Sequence, residues 1–231
     1  MRNFQYNSAM RIFPLGESAL TVDFGNEISV ELNQKVLWLA SFFEKNPFPG
    51  MIEIFPAYSS LTIFYSVSEV RKNFSSHQTA FNAVKAEVEK VLSQKVEFIE
   101  APRTFEIPVC FDKAYALDLD FVASRCNLAP EEVIEIFLSR TYRVFMIGFL
   151  PGFAYMGEVD ERIAVPRLEN PRTEVEKGSI GIAGRQTGIY PLNSPGGWRI
   201  IGKTSVAIFN MHDSKNPSLL RAGDLVRFYR V

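Results

Sequence analysis

The residue types able to bind or polarise a small polar molecule crowd into one stretch, Phe149 to Thr204. It opens with Phe149-Leu150-Pro151-Gly152-Phe153-Ala154-Tyr155, in which aromatic residues flank a Pro-Gly step. Proline fixes φ and glycine releases it, so the step marks a turn able to hold rings at a surface. Phe149 and Phe153 are therefore expected to face a partner; the alternative is a hydrophobic loop plugging the end of a barrel. Arg167 and Arg172 each follow a proline, five residues apart. A guanidinium is always charged, and its planar fork suits a carboxylate or a phosphate. Two forks at this spacing can close over one pocket, or can be surface arginines paired with Glu169, Glu174 or Glu176.

Gly178-Ser179-Ile180-Gly181-Ile182-Ala183-Gly184 lacks the Gly-Lys-Ser/Thr ending of a phosphate loop and the strand–turn–helix setting of a dinucleotide fingerprint. Isoleucines between its glycines fit a strand crossing a tight corner. Gln186, Thr187 and Tyr190 follow, each able to hydrogen-bond a polar ligand. Ser194-Pro195-Gly196-Gly197-Trp198 is the sharpest element. Adjacent glycines let backbone approach a ligand, and successive exposed N–H groups can form an anion-binding nest. Trp198 would wall such a site, or anchor an ordinary turn in a core. Substrate contacts are thus expected at Arg167, Arg172, Gln186, Thr187, Tyr190, Gly196, Gly197 and Trp198, with Lys203 adding a charge one strand on.

His77 and His212 lie outside this stretch, so no His-based triad is expected and no catalytic residue is assigned. The two cysteines, Cys110 and Cys126, form no CxxC, and neither a disulfide framework nor a zinc site is expected. The 25 basic and 26 acidic residues leave a net charge of −1, which provides no broad attraction for nucleic acid or anionic lipid. The apolar runs Val36–Ala40 and Val144–Leu150 are far short of the ~20 residues a membrane helix needs. Met1 to Met10 is polar, without an apolar signal core, and Met10 is a possible start. A soluble cytoplasmic chain is expected.

The elements that must position these residues divide in two. Residues 1–10 read as a loose leader. Arg11–Leu15, Ala19–Phe24, Met51–Phe55 and Leu61–Ser66 are β-rich. Leu32, Val36, Leu39 and Phe43 repeat with helical spacing behind a Ser29 cap, and Phe81, Val84, Val88 and Val91 give a second helix over about 79–92. Lys95–Ile99 returns to strand. The order ββαββαβ predicts an α+β domain over 1–101, with helices on one face of a sheet. Ala101-Pro102-Arg103 breaks the pattern. Over 102–231 the expectation is a strand at Thr104–Cys110, two short helices (the first capped by Asp118, the second opened by Pro130), and then many short strands. These include Trp198–Gly202, Ser205–Phe209 and Leu225–Val231, with Gly/Pro turns between them, as in a barrel or sandwich.

Tyr142 to Gly157, Pro166-Arg167, Pro171-Arg172, Gly178 to Pro191, Ser194 to Trp198, Ile201 to Thr204 and the Gly223-Asp224 turn together resemble one family. It includes the B subunit of bacterial ATP-dependent 5-oxoprolinase, allophanate hydrolase subunit 1, a domain of biotin-dependent urea carboxylase and an inhibitor of a sporulation histidine kinase. The resemblance implies an α+β N-terminal domain followed by a mostly-β, cyclophilin-like barrel. It implies a subunit inactive alone, working with a larger related β-rich subunit and a third subunit, in a complex that uses ATP to open 5-oxoproline to glutamate. Binding and inhibiting a sensor histidine kinase, or an allophanate hydrolase/urea carboxylase-like role, are the alternatives it carries.

Overall fold

The computed structural model describes residues 10–25, 27–94 and 101–231. Most of the expected leader, and the strand expected at 95–99, lie outside the described residues. The chain divides into two compact units, Met1–Glu100 and Ala101–Val231.

In the first unit, strands β1 (Arg11–Pro14), β2 (Ala19–Asp23), β3 (Met51–Pro56) and β4 (Ser60–Tyr65) form an antiparallel sheet in the order β1-β2-β4-β3. Helix α1 (Val30–Lys45) starts where the Ser29 hydroxyl accepts the Leu32 N–H. It buries the expected stripe of Val36, Leu39 and Phe43. A seven-residue helix, α2 (Val67–Asn73), is additional to the expected elements, having too few turns to show a periodic stripe; the Ser66 hydroxyl caps it. Helix α3 (Ala80–Leu92) begins at the Thr79 cap and buries Val84, Val88 and Val91. Alternate residues of the inner strands, Leu20, Val22, Leu61, Ile63 and Tyr65, join these helical stripes in one core. Each such side chain contributes roughly 1.5–3 kcal/mol by leaving water.

The second unit is built on seven strands. These are β5 (Thr104–Val109), β6 (Thr141–Ile147), β7 (Ala154–Gly157), β9 (Ser179–Ala183), β10 (Gln186–Ile189), β12 (Arg199–Lys203) and β13 (Leu225–Arg230). They run in the order β12-β9-β10-β7-β6-β13-β5, antiparallel except for β13 beside β5. The outer strands meet: Cys110 and Lys203 exchange backbone hydrogen bonds of 2.9 and 3.0 Å. The sheet is therefore a nearly closed barrel with little free edge. A separate two-stranded ribbon pairs β8 (Arg172–Val175) with β11 (Ser194–Gly196). Helices α4 (Leu119–Cys126) and α5 (Pro130–Leu138) pack on the main core through Val122, Val133 and Phe137. Pro130 opens α5 as expected, and the Glu132 carboxylate accepts the Ala129 N–H at 2.7 Å. Ser205–Phe209 is not a strand. The Thr204 hydroxyl accepts the Val206 N–H at 3.2 Å, which turns the chain out of the extended conformation, and only a bridge from Phe209 to Ser218 remains.

Candidate functional site

Strand alternation gives the barrel sheet two unlike faces. Ile180, Ile182, Ile189, Ala154 and Met156 belong to the main core. The other face carries a row in register, Ile200–Gly181–Gly188–Tyr155, across β12, β9, β10 and β7. The paired glycines make a floor that rings can touch. A Cβ on Gly188 would fall 2.8 Å from Phe153 Cζ, and one on Gly181 2.8 Å from Trp198 Cβ. On this floor sits an aromatic cluster with Phe153 at its hub. Its ring lies edge-on to Phe149, Tyr155, Tyr190 and Trp198, with centroids 4.8–5.4 Å away for the last three and 5.6 Å for Phe149. Such pairs add about 0.5–1.5 kcal/mol each beyond burial.

Several sequence-based expectations are corrected by this arrangement. Phe153 is 1% exposed and faces no partner; it holds the cluster together. Phe149 is 62% exposed. It sits in a three-residue turn closed by the Leu150 N–H on the Gly148 carbonyl at 2.8 Å, with φ +66°. This backbone is strained for a bulky residue, and it pushes the ring outward. Thr187 falls on the opposite face from Gly188, is fully buried, and gives its hydroxyl proton to the Gly181 carbonyl at 2.9 Å. It is a core residue, not a ligand contact. Gln186 stands partly exposed at the hairpin end of β10, roughly 13 Å along the strand from Tyr190 at ~3.3 Å per residue.

Gly196 and Gly197 are buried and neither has a left-handed φ, so their N–H groups do not form the expected nest. Gly196 instead makes room for Tyr190: a Cβ there would fall 2.8 Å from the ring atoms Cε1 and Cζ, and closer still to the hydroxyl oxygen. The Gly197 carbonyl accepts the Leu168 N–H at 2.7 Å. Trp198 is buried as a wall of the cluster, and its backbone N–H donates to the Tyr190 hydroxyl. Burial pushes the Tyr190 and Tyr155 hydroxyls up from the usual phenol range, while Arg167 draws both back.

The two arginines part company. Arg167 is exposed, and among the described residues no carboxylate pairs with it. Its Nε lies 3.9 Å from where a Gly197 Cβ would stand, beside Pro171. Arg172 pairs with none of the three glutamates expected. Its Nη2 donates to Asp118 Oδ1 at 2.9 Å, and its Nη1 is sealed from solvent without an acceptor. Glu174 accepts from Asn193 instead, and Glu176 pairs with Lys203, whose ammonium also lies 5.0 Å from the Tyr115 ring centroid. Asp118, expected to cap a helix, stands at the cap position of α4 but makes no side-chain capping bond. Tyr155, the last residue of the Phe149–Tyr155 run, joins the aromatic cluster against Phe153 and Trp198; the run itself carries no sign of the direction its ring takes.

Brought together, then, are an unpaired guanidinium (Arg167), two phenols (Tyr155 and Tyr190) and an aromatic platform ending in exposed Phe149. A cation beside flat apolar rings can hold a small ring bearing one carboxylate. The Gly178–Gly184 stretch forms β9 and its hairpin turn, not a loop between a strand and a helix N-terminus. Among the described residues, no group of three or more His, Cys, Asp or Glu is placed to hold a metal ion. No helix among them is long and apolar enough to cross a membrane.

An α+β unit followed by a nearly closed β-barrel is the build of carboxyltransferase-type domains. The family model for the carboxyltransferase domain, subdomain C and D, matches residues 10–220, and the chain belongs to this family. Within it, the chain is 45% identical over 223 residues to the 5-oxoprolinase B subunit of Bacillus subtilis (strain 168), spanning 96% of this chain and 92% of that one. It is 33% identical to the 5-oxoprolinase B subunit of Escherichia coli O157:H7, spanning 94% of each. The crystal structure of TTHA0988 matches 92% of the chain with a TM-score of 0.79 at 35% identity; the present chain spans 40% of that longer protein.

Proposed function

We propose that this chain is the B subunit of an ATP-dependent 5-oxoprolinase, a multi-subunit enzyme that opens the lactam 5-oxoproline to glutamate. The observation that carries the reading is near-end-to-end similarity at 45% identity to a protein of that name, with no large unmatched part on either side. A lactam is an unreactive amide, which accounts for a reaction coupled to ATP. ATP use is assigned to the assembled complex, with a larger β-rich subunit and a third subunit as partners in the cytoplasm.

The part assigned to this chain is substrate holding. Arg167 takes the carboxylate of 5-oxoproline, and the ring lies against the half-buried Tyr155, which buried Phe153 and Trp198 support from behind. Phe149, exposed on its three-residue turn, is the anchor for the larger subunit, since aromatic anchors dominate interface energy. The test is reconstitution with the two partner subunits and measurement of ATP-dependent glutamate release. Arg167→Ala removes a charge-assisted bond worth about 1.5–3 kcal/mol, so the KM for 5-oxoproline should rise about 10- to 100-fold. No glutamate release from the full complex would sink the function, and an unchanged KM would sink the role of Arg167.

A further inference from the structure

Asp118 is buried, yet helix capping does not use it. Three elements converge on it instead. Its Oδ2 accepts the Ile200 N–H at 2.7 Å, and its own N–H donates to the Ile200 carbonyl at 2.7 Å. Its Oδ1 accepts from Arg172 Nη2 at 2.9 Å, with Arg199 Nη1 3.5 Å away. Arg199 in turn lies over the Phe121 ring, 3.6 Å from its centroid. The start of α4, the second residue of β12 and the first residue of β8 are thus tied at one carboxylate.

What hangs on that tie is the candidate site. Arg172 pairs in register with Gly196 across the β8–β11 ribbon. Gly197, next to Gly196, is where Arg167 comes close: its Nε lies 3.9 Å from where a Gly197 Cβ would stand. With one guanidinium nitrogen sealed and unpartnered, Arg172 stays in place because Asp118 compensates its charge. Remove that charge and the most favourable course is for Arg172 to swing to solvent, taking the ribbon with it.

We infer that Asp118 is a positioning residue: by fixing Arg172 it holds the ribbon where Arg167 can meet the substrate carboxylate, and so sets substrate affinity without touching substrate. This rests on the reading of Arg167 as the carboxylate anchor. Arg172, expected as the second arm of a clamp, becomes a strut.

Asp118→Asn tests this in the reconstituted complex, because it keeps an oxygen for the Ile200 N–H and removes the charge opposite Arg172. The expected result is a KM for 5-oxoproline raised on the order of tenfold with kcat largely held, the mark of a displaced binding group. In an Arg167→Ala background the same change should add nothing to KM, since the anchor is already gone. Should Asp118→Asn fail to fold, the pair Asp118→Asn with Arg172→Met removes both charges of the close pair and leaves Arg199 its place over the Phe121 ring; it should fold and still raise KM. Arg167→Ala raising KM while Asp118→Asn leaves it unchanged, or adds to it independently, overturns the inference and spares the anchor. Failure of both Asp118 variants to fold assigns Asp118 a purely structural role and also overturns it. An unchanged KM in Arg167→Ala removes the anchor, and this inference with it.

Discussion

A single methyl group distinguishes the two adjacent glycines of Ser194–Trp198. At Gly196 it would fall 2.8 Å from two carbons of the Tyr190 ring, against a comfortable carbon–carbon separation of about 3.5–4.0 Å. The ring cannot yield: Tyr190 is fully buried, Phe153 lies edge-on to it at 5.2 Å, and its hydroxyl holds the Trp198 N–H. Overpacking of this kind costs about 1–3 kcal/mol, and the lost buried hydrogen bond about 0.5–1.5 kcal/mol more. Gly196→Ala should therefore destabilise the second unit by about 2–4 kcal/mol. At Gly197 the same methyl meets Pro171 Cγ at 3.5 Å and Arg167 Nε at 3.9 Å, both ordinary contacts, without a left-handed φ. Gly197→Ala should cost no more than about 0.5 kcal/mol. Urea unfolding followed by Trp198 fluorescence in a Trp38→Phe background reads both, since the chain has two tryptophans. Equal midpoints for the two variants would refute the assignment of Gly196 to Tyr190 packing and restore a ligand-binding role for the pair.

Phe149→Gly relieves a left-handed backbone that costs a side-chain-bearing residue about 1–2 kcal/mol. It gives up a largely exposed ring and its edge-on contact with Phe153, about 0.5–1.5 kcal/mol, so the two effects nearly cancel and stability in urea should hold, while calorimetry should show affinity for the larger subunit falling at least about tenfold. Asp160 accepts hydrogen bonds from the Arg162 side chain and backbone and from Arg140 Nη2 at 2.6 Å, which hold its carboxyl well below the usual carboxylate range. A depressed folded-state value stabilises above the unfolded value of about 4, and that stability is lost as pH falls toward the folded value. Asp160→Asn should thus be less stable than the parent at pH 7, with the gap in urea midpoints closing as the pH is lowered below about 4. A gap independent of pH would contradict the ion-pair account.

Much of the fold is legible in the sequence because its signals are local. The stripes of α1 and α3, the Ser29 and Thr79 caps and Pro130 at the start of α5 each act within a turn or two of chain. The element that escapes, α2, is too short to display a period. The strand wrongly expected at Ser205–Phe209 has an apolar pattern but loses to one hydroxyl, that of Thr204. For the site, position along the chain is legible and direction is not. Thr187 and Tyr190 lie three residues apart and both can hydrogen-bond, yet the sheet turns Thr187 to the face of the main core. Phe149 and Phe153 look alike in sequence; a φ of +66° at one and a glycine floor under the other make them opposites.

Electrostatic partners are the least legible. Three glutamates stand within a few residues of Arg167 and Arg172, and proximity in sequence favours them. Arg172 nevertheless chooses a carboxylate 54 residues away, because Asp118 is the one held in place by the Ile200 backbone and shielded from water. A pair shielded from solvent is screened less than an exposed one, so its attraction outweighs that of nearer but solvated glutamates. Arg167, by contrast, has no carboxylate fixed beside it among the described residues and stays exposed. The glycines of β9 and β10 make room for the protein's own aromatic rings, Phe153 over Gly188 and Trp198 over Gly181.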